Sequence, residues 1–157
     1  MRVGIGFDVH KFQKGRPLFL GGIKIEHPFG LLGHSDADVV LHAIIDAMLG
    51  ACGLGDIGRH FPDIDKKLKD ISSVELLKNV DHLIREAGWR VFNLDATIIA
   101  EVPKISPYVS AMREKIGSTI ALAPGQINIK GKTTEGLGFT GRGEGIAAMA
   151  VVLLEKL

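Results

Sequence analysis

Val3, Ile5, Phe7 and Val9 alternate with smaller or polar residues through segment 2–10. This period of two predicts a half-buried strand that ends at Asp8-Val9-His10. Segment 18–25 reads as a second strand, interrupted by Gly21-Gly22 as a bulge or tight bend. The period then changes. Ser35, with Asp38 three residues on, resembles a capping box. Leu41, Ile44, Ile45, Met48 and Leu49 follow at helical spacing and predict a helix over 37–49. Residues 50–70, rich in Gly, Asp and Lys, read as loop. Ser72 and Glu75 open a second helix, which Gly88 closes.

Residues 91–101, rich in Ile, Val and Thr, predict a buried strand. Ser106-Pro107 is an N-cap followed by proline at the first helical position, opening a third helix that runs to residue 122 and stops before Pro124. Residues 127–134 read as a strand and 135–145 as a glycine-rich loop. Segment 146–154 is continuously apolar, and periodicity leaves strand and helix both open. The order β-β-α-α-β-α-β, closed by this last element, predicts an α/β (α+β) fold, one mixed β-sheet with helices packed on one face. The other sheet face then needs cover, so an oligomer with its sheets turned inward is expected.

Composition changes this picture little. The chain has 157 residues and no Ser/Pro linker or low-complexity tract, so residues 1–157 are read as a single domain. A net charge of +1 with mixed acids and bases argues against nucleic-acid and membrane-surface partners. The single cysteine, Cys52, cannot form an intrachain disulfide, which suits a reducing compartment and a small apolar role on a helix. No signal peptide, transit segment or membrane span is expected, and the expected place is the cytoplasm.

Three groups of residues carry candidate chemistry. Asp8 and His10 lie two apart on a strand and point to one side, whereas Asp38, His42 and Asp46 lie four apart on a helix. If the helix crosses the strand, His42 meets Asp8 and His10. Two imidazoles and a carboxylate are a zinc ligand set with an open fourth position, and Asp46 would be the acceptor for an imidazole N–H. A polar strand end and a polar helix stripe would look the same, so spacing alone leaves both readings open. His27, His60 and His82 have no such company and read as surface or loop residues.

The second group is Lys132-Thr133-Thr134-Glu135-Gly136, leaving a strand and running into Gly138-Phe139-Thr140-Gly141-Arg142-Gly143-Glu144-Gly145. Its hydroxyls, backbone N–H groups and glycines suit phosphate oxygens, and Glu135 could hold Mg²⁺ or Mn²⁺. A glycine-rich surface loop fits equally. Gly4-Ile5-Gly6 is not a dinucleotide fingerprint, since it lies inside a strand with no third glycine or helix after it. The third group, Gly55-Asp56-Ile57-Gly58 with Phe61-Pro62-Asp63-Ile64-Asp65, offers Asp56 and Asp63 to polyol hydroxyls, or holds turns that satisfy their own backbone.

These motifs, in this order over the whole length, resemble the 2-C-methyl-D-erythritol 2,4-cyclodiphosphate synthase family of the non-mevalonate isoprenoid pathway. The matching stretches are Gly6-Phe7-Asp8-Val9-His10, His34-Ser35-Asp36-Ala37-Asp38 through His42, Gly55-Asp56-Ile57-Gly58 with Phe61-Pro62-Asp63, residues 100–104, and the run from Thr133 to Gly145. The resemblance implies metal-assisted conversion of 4-diphosphocytidyl-2-C-methyl-D-erythritol 2-phosphate to the cyclic diphosphate and CMP, by a phosphorus–oxygen lyase. It implies Zn²⁺ on Asp8, His10 and His42, and Mg²⁺ or Mn²⁺ on Glu135 with the substrate diphosphate.

His34 and Thr133 fall at the positions that stabilise the transition state. Ser35, Asp56 and Asp63 fall where the methylerythritol phosphate is held, Ile57, Gly58 and Phe61 fall among the substrate-binding residues, and Ala100, Pro103, Lys104 and Ile105 fall at the cytidine. Lys132, Thr134, Phe139 and Arg142 complete the implied substrate-binding set. The family's homotrimer, with sheets facing a threefold axis and sites between subunits, agrees with the bare sheet face. Phe7, Phe139, Arg142 and Glu144 match positions near that axis, where an isoprenoid diphosphate is a possible further ligand.

The departures are small. Ala37 replaces a frequent glycine, and Ala suits a helix start; Ile64 and Lys66 depart from the usual loop; Lys132 stands where some relatives carry threonine. A lid over 56–65 is expected to exclude water. The alternatives are a zinc-dependent phosphohydrolase on the same ligands, and a non-catalytic isoprenoid- or nucleotide-binding trimer.

Overall fold

Two glycines bring the sheet and its principal helix together. Strand β1 (Arg2–Lys14) turns Gly4 and Gly6 toward helix α1 (Val39–Cys52). A Cβ on Gly4 would lie 2.0 Å from the Ala47 carbonyl oxygen, and one on Gly6 2.0 Å from that of Ala43. Strand and helix backbones therefore touch, along a helix stripe of Ala43, Ala47 and Ala51 spaced four apart. The computed structural model describes residues 1–62, 64 and 68–157.

After β1 come β2 (Leu18–Leu20), β3 (Ile23–Ile25), β4 (Phe29–Leu31), α1, α2 (Ile57–His60), α3 (Ser73–Glu86), β5 (Trp89–Ile99), α4 (Val109–Ile120), β6 (Ile127–Lys132), α5 (Gly138–Gly141) and β7 (Gly145–Lys156). The main sheet runs β4-β1-β7-β5-β6, antiparallel except for the parallel β5–β6 pair. It is mixed, with α1 and α3 over its inner face, in an α+β arrangement as predicted. β2 and β3 form a separate hairpin.

The ambiguous last segment is β7, at the centre of the sheet. Both its neighbours are antiparallel, and Ile146, Ala148, Ala150, Val152 and Leu154 line the core. Its continuous apolarity reflects a strand with helices on one side and the bare face on the other.

The opening alternation is turned the other way from its prediction. Val3 and Ile5 are 68% and 66% exposed, and Phe7 and Val9 are also exposed. The glycines, not the branched residues, face the core, because only they admit the helix backbone. With Met149 and Val151 of β7, these side chains form an apolar outer face on β1 and β7. Toward β5 and β6 the face turns polar: Asp95 accepts from Asn128 Nδ2 at 2.8 Å and pairs with Lys130.

Several boundaries move. β1 does not end at His10 but continues to Lys14, because at Phe12 it exchanges its partner β7 for β4. β4, three residues with no alternation to betray it, is absent from the sequence reading. Of the two readings of Gly21-Gly22, the tight bend holds: the pair is the turn of the β2–β3 hairpin, which divides the expected strand in two. α1 starts after Asp38, not at Ala37. Asp38 Oδ1 accepts from Val40 and Leu41 N–H, both at 3.1 Å, so Asp38 is itself the N-cap.

Ala37 has φ +57, outside the helix and in the left-handed region. Alanine there does not suit a helix start; it sits where glycine carries no steric cost. The loop 50–70 contains the short helix α2, capped by Asp56. Residues 106–108 form a 3₁₀ turn before α4, and the glycine-rich loop contains α5. Among the described residues, no helix is long and apolar enough to cross a membrane.

Candidate active site

His10 lies next to the point where β1 changes partners. Its Nδ1 is 2.7 Å from the Leu32 carbonyl, which follows β4. A carbonyl only accepts, so Nδ1 carries the proton and Nε2 presents its lone pair. Asp8, two residues back, points to the same side. The crossing of α1 over the glycines of β1 brings His42 down to both. Asp8 Oδ2 lies 2.9 Å from His10 Nε2 and 3.0 Å from His42 Nδ1, and the two nitrogens are 3.2 Å apart.

A tetrahedral zinc with bonds of roughly 2.0–2.2 Å has ligand edges of about 3.3–3.6 Å. Three donors already at 2.9–3.2 Å need to part by only a few tenths of an ångström, so the set fits such an ion. Burial pushes the Asp8 carboxyl up, but hydrogen bonds and charge from His10 and His42 outweigh it and hold it well below the usual carboxylate range. Burial pulls His10 down, and its bond to Asp8 more than reverses that, leaving it raised.

The trio opens on a cavity of about 280 Å³, whose wall includes His34, Ser35, Ile57, Gly58 and Phe61. The His34 strap is fixed through its backbone. Arg16 donates from Nη1 to the Gly33 carbonyl at 3.1 Å and from Nη2 to the Ser35 carbonyl at 2.7 Å, while Asp70 N–H donates to the His34 carbonyl at 2.8 Å. Asp56 caps α2, accepting from Arg59 N–H at 2.9 Å. Asp63 lies outside the described residues.

Asp46 is not the imidazole's acceptor. It accepts from Ile57 N–H at 2.8 Å and so anchors the start of α2. The hydroxyl beside His42 is instead that of Ser73, at the first position of α3, with Oγ 2.9 Å from Nε2. Ser73 carried no signal in the sequence beyond following its helix cap. Ser35 does not cap α1; its Oγ accepts from Ala37 N–H at 3.1 Å and lies 3.2 Å from His42 Nε2.

Ala100, Pro103, Lys104 and Ile105 line a second cavity of about 390 Å³, together with Lys132 and Thr133. Among the described residues, the two cavities share no lining residue. Glu135, at φ +55, accepts from Thr133 Oγ1–H at 3.0 Å. Glu101, which the sequence reading passed over, organises this turn by accepting from Thr134 N–H at 2.9 Å. Thr134 Oγ1 donates to the Leu137 carbonyl at 2.6 Å, and Arg142 pairs with Glu144 at 2.6 Å on the surface. Phe139 is 39% exposed beside them. Lys132 to Glu135 thus gather at one end of β6, whereas the same loop returns to β1 at its far end, where the Glu144 carbonyl accepts from Phe12 N–H at 2.9 Å and Gly145 pairs with Lys11.

Known proteins resemble this chain along nearly its whole length. The YgbB family model matches residues 1–155. The 2-C-methyl-D-erythritol 2,4-cyclodiphosphate synthase of Syntrophomonas wolfei is 56% identical over 156 residues, 99% of each chain. That of Geobacillus kaustophilus is 59% identical over 155 residues, 99% of this chain and 98% of its own. Among solved structures, a 2C-methyl-D-erythritol-2,4-cyclodiphosphate synthase in a CDP-bound form superposes with a TM-score of 0.90 at 36% identity, covering 98% of this chain and all of its own. The bifunctional IspDF of Campylobacter jejuni superposes with a TM-score of 0.96 at 46% identity over 99% of this chain, which spans 42% of that longer one. Matched along nearly its full length by the family model and by relatives more than half identical to it, the chain belongs to the YgbB family of 2-C-methyl-D-erythritol 2,4-cyclodiphosphate synthases.

Proposed function

We propose that this chain converts 4-diphosphocytidyl-2-C-methyl-D-erythritol 2-phosphate to 2-C-methyl-D-erythritol 2,4-cyclodiphosphate and CMP, as a phosphorus–oxygen lyase of non-mevalonate isoprenoid biosynthesis. The observation that carries this reading is the convergence of Asp8, His10 and His42 within 3.2 Å at the wall of a cavity. The relatives' names supply the reaction, and the trio supplies the chemistry it requires.

In that reaction an oxygen of the 2-phosphate forms a bond to the β-phosphorus. The bond from that phosphorus to the bridging oxygen breaks, and CMP leaves with the electron pair. The nucleophile is already an anion, so no strong base is needed; the obstacle is bringing one anion against another. Zn²⁺ on Asp8, His10 and His42, and Mg²⁺ or Mn²⁺ on Glu135, supply charge neutralisation and Lewis acidity at the phosphates.

The protein's own residues do the rest. His34 and Thr133 stabilise the transition state. Ser35, Asp56, Ile57, Gly58, Phe61 and Asp63 hold the methylerythritol phosphate, and Ala100, Pro103, Lys104 and Ile105 hold the cytidine. Lys132, Thr134, Phe139 and Arg142 complete the substrate contacts. Holding both ends of one substrate together supplies an effective concentration of about 10⁵ M or more. Exclusion of water from the site keeps hydrolysis from competing with cyclisation.

Because the two cavities of one chain are separate, the complete site forms between subunits of a homotrimer of these single-domain chains, with their apolar sheet faces turned inward. Residues Phe7, Phe139, Arg142 and Glu144 near the axis offer a cavity for an isoprenoid diphosphate. The enzyme works in the cytoplasm.

The deciding experiment incubates the protein with its substrate and Mg²⁺, with and without a zinc chelator, and follows products by phosphorus NMR. Cyclic diphosphate and CMP that vanish with the chelator are expected. A linear hydrolysis product would assign a phosphohydrolase instead, and absence of turnover in metal-replete protein would leave a binding trimer.

A further inference from the structure

The structure assigns Ser73 and Asp36 a role as positioning residues: together they fix which ring nitrogen of His42 is free to bind a metal. This rests on the zinc reading of Asp8, His10 and His42.

His42 has two competing hydrogen-bonding options. Its Nδ1 faces Asp8 Oδ2 at 3.0 Å, and its Nε2 faces Ser73 Oγ at 2.9 Å. A neutral imidazole carries one proton. On Nδ1, that proton would bond to Asp8 and remove the lone pair a metal needs. On Nε2, it leaves Nδ1 bare, facing Asp8 and His10 Nε2.

The choice is made one residue further away. Ser73 Oγ–H donates to Asp36 Oδ1, and Ser73 N–H donates to Asp36 Oδ2 at 2.9 Å. Asp36 also receives Asp38 N–H, on Oδ1 at 3.2 Å. A carboxylate accepts and does not donate, so the single hydroxyl proton of Ser73 is committed to Asp36. Toward His42, Ser73 Oγ can then only accept. The proton therefore belongs on Nε2, and Nδ1 presents its lone pair. Ser35 Oγ accepts Ala37 N–H, which leaves its own proton uncommitted, but at 3.2 Å from Nε2 it is a longer contact than Ser73 Oγ at 2.9 Å.

The relay is built to be rigid. Ser73 is fully buried, and as the first residue of α3 its N–H has no partner within the helix, so Asp36 both caps that N–H and orients the hydroxyl. Asp36 N–H in turn donates to the Ile71 carbonyl at 3.1 Å. The start of α3 is thereby tied to the strap that carries His34 and Ser35. Partners of this kind beyond the metal's own ligands set the ring tautomer in other metal sites.

The test uses the full chain in three variants, Ser73→Ala, Ser73→Thr and Asp36→Asn, with two readouts. The first is the ring tautomer of His42 in metal-free protein, from long-range ¹H–¹⁵N spectra at a pH where the imidazole is neutral. The second is zinc affinity by competition with a chromophoric chelator. The native chain is expected to show the Nε2–H form. Ser73→Ala removes the acceptor, should shift His42 toward Nδ1–H, and should weaken zinc by about 10–100-fold. Ser73→Thr keeps the hydroxyl and should restore both readouts. In Asp36→Asn, an amide N–H can donate to Ser73 Oγ, freeing the hydroxyl to donate to Nε2 and inverting the tautomer without loss of the side-chain volume.

Retention of Nε2–H with unchanged zinc affinity in Ser73→Ala would overturn the assignment. So would loss of zinc in Ser73→Thr equal to that in Ser73→Ala. Failure of the native chain to bind zinc would instead overturn the metal reading, while the tautomer measurement would still decide the relay. Any variant that melts early is judged by the tautomer of its folded fraction.

Discussion

Val9 and Lys132 lie in one row across the main sheet. Val9 pairs with Ala147, Ala147 with Ile99, and Ile99 with Lys132. The row crosses three strand spacings, roughly 14 Å at about 4.8 Å each. Asp8 and His10 flank Val9, whereas Thr133 and Glu135 follow Lys132. A diphosphate held by both groups in one chain would have to reach across β7 and β5.

Complementation between variants follows. His42→Ala and Glu135→Ala should each abolish turnover alone. After the two are mixed, unfolded and reassembled in equal amounts, activity should return to about a quarter of native, since a site drawing one half from each of two random subunits is intact about that often. No recovery would mean that each site is built within one chain.

Gly6→Ala tests the contact that creates the site. Its Cβ would lie 2.0 Å from the Ala43 carbonyl oxygen and 2.7 Å from the Ala47 nitrogen, both backbone atoms that no side-chain rotation can move. The variant should lose about 2–3 kcal/mol of stability and bind zinc more weakly, because α1 must lift away from β1 and carry His42 with it. Calorimetry and chelator competition read the two effects. Native zinc affinity in a folded Gly6→Ala protein would show that His42 does not depend on this crossing.

Asp46→Ala separates the predicted role of that residue from the observed one. The Asp46–Ile57 hydrogen bond anchors α2 in the cavity wall. Its removal should leave zinc affinity unchanged and raise KM, at a cost of about 1 kcal/mol in stability. A tenfold loss of zinc affinity would return Asp46 to the neighbourhood of the ligands.

His10 carries pH dependences of opposite sign with and without metal. In metal-free protein, His10 is raised above its ordinary value of 6.5, so the stability it contributes is complete below that pH and is lost as pH rises through the raised value. Asp8 is depressed, so its contribution is present above the ordinary carboxylate value of 3.8 and is lost as pH falls toward the depressed one. Zinc binding instead requires His10 unprotonated and strengthens as pH rises. The increase in melting temperature on adding zinc should therefore grow from pH 6 to pH 8. A constant increment across that range would place His10 outside the ligand set.

Periodicity and punctuation were enough for the helices with clear caps and stripes. α3 opens after Ser72 as read, and β5, β6 and α4 fall close to their predicted spans. Elements without such marks were missed: β4 and α2 are too short for a period, and β7 could not be told from a helix until both its neighbours were known. Asp8, His10 and His42 were legible as a possible set because strand and helix geometry put residues two and four apart on one side, and the order of motifs named the family.

What the chain's local pattern could not decide was which face of β1 turns inward. An alternation of branched residues and glycines is symmetric until a helix is laid on it, and the helix chose the glycines because two backbones can approach only where no Cβ intervenes. The same docking fixed the partners of His42. Ser73 lies thirty-one residues away in sequence, and only the meeting of α3 with α1 sets its hydroxyl against the ring in place of Asp46. Local sequence determined the kinds of element and the candidate ligands; long-range packing determined which polar atoms face one another.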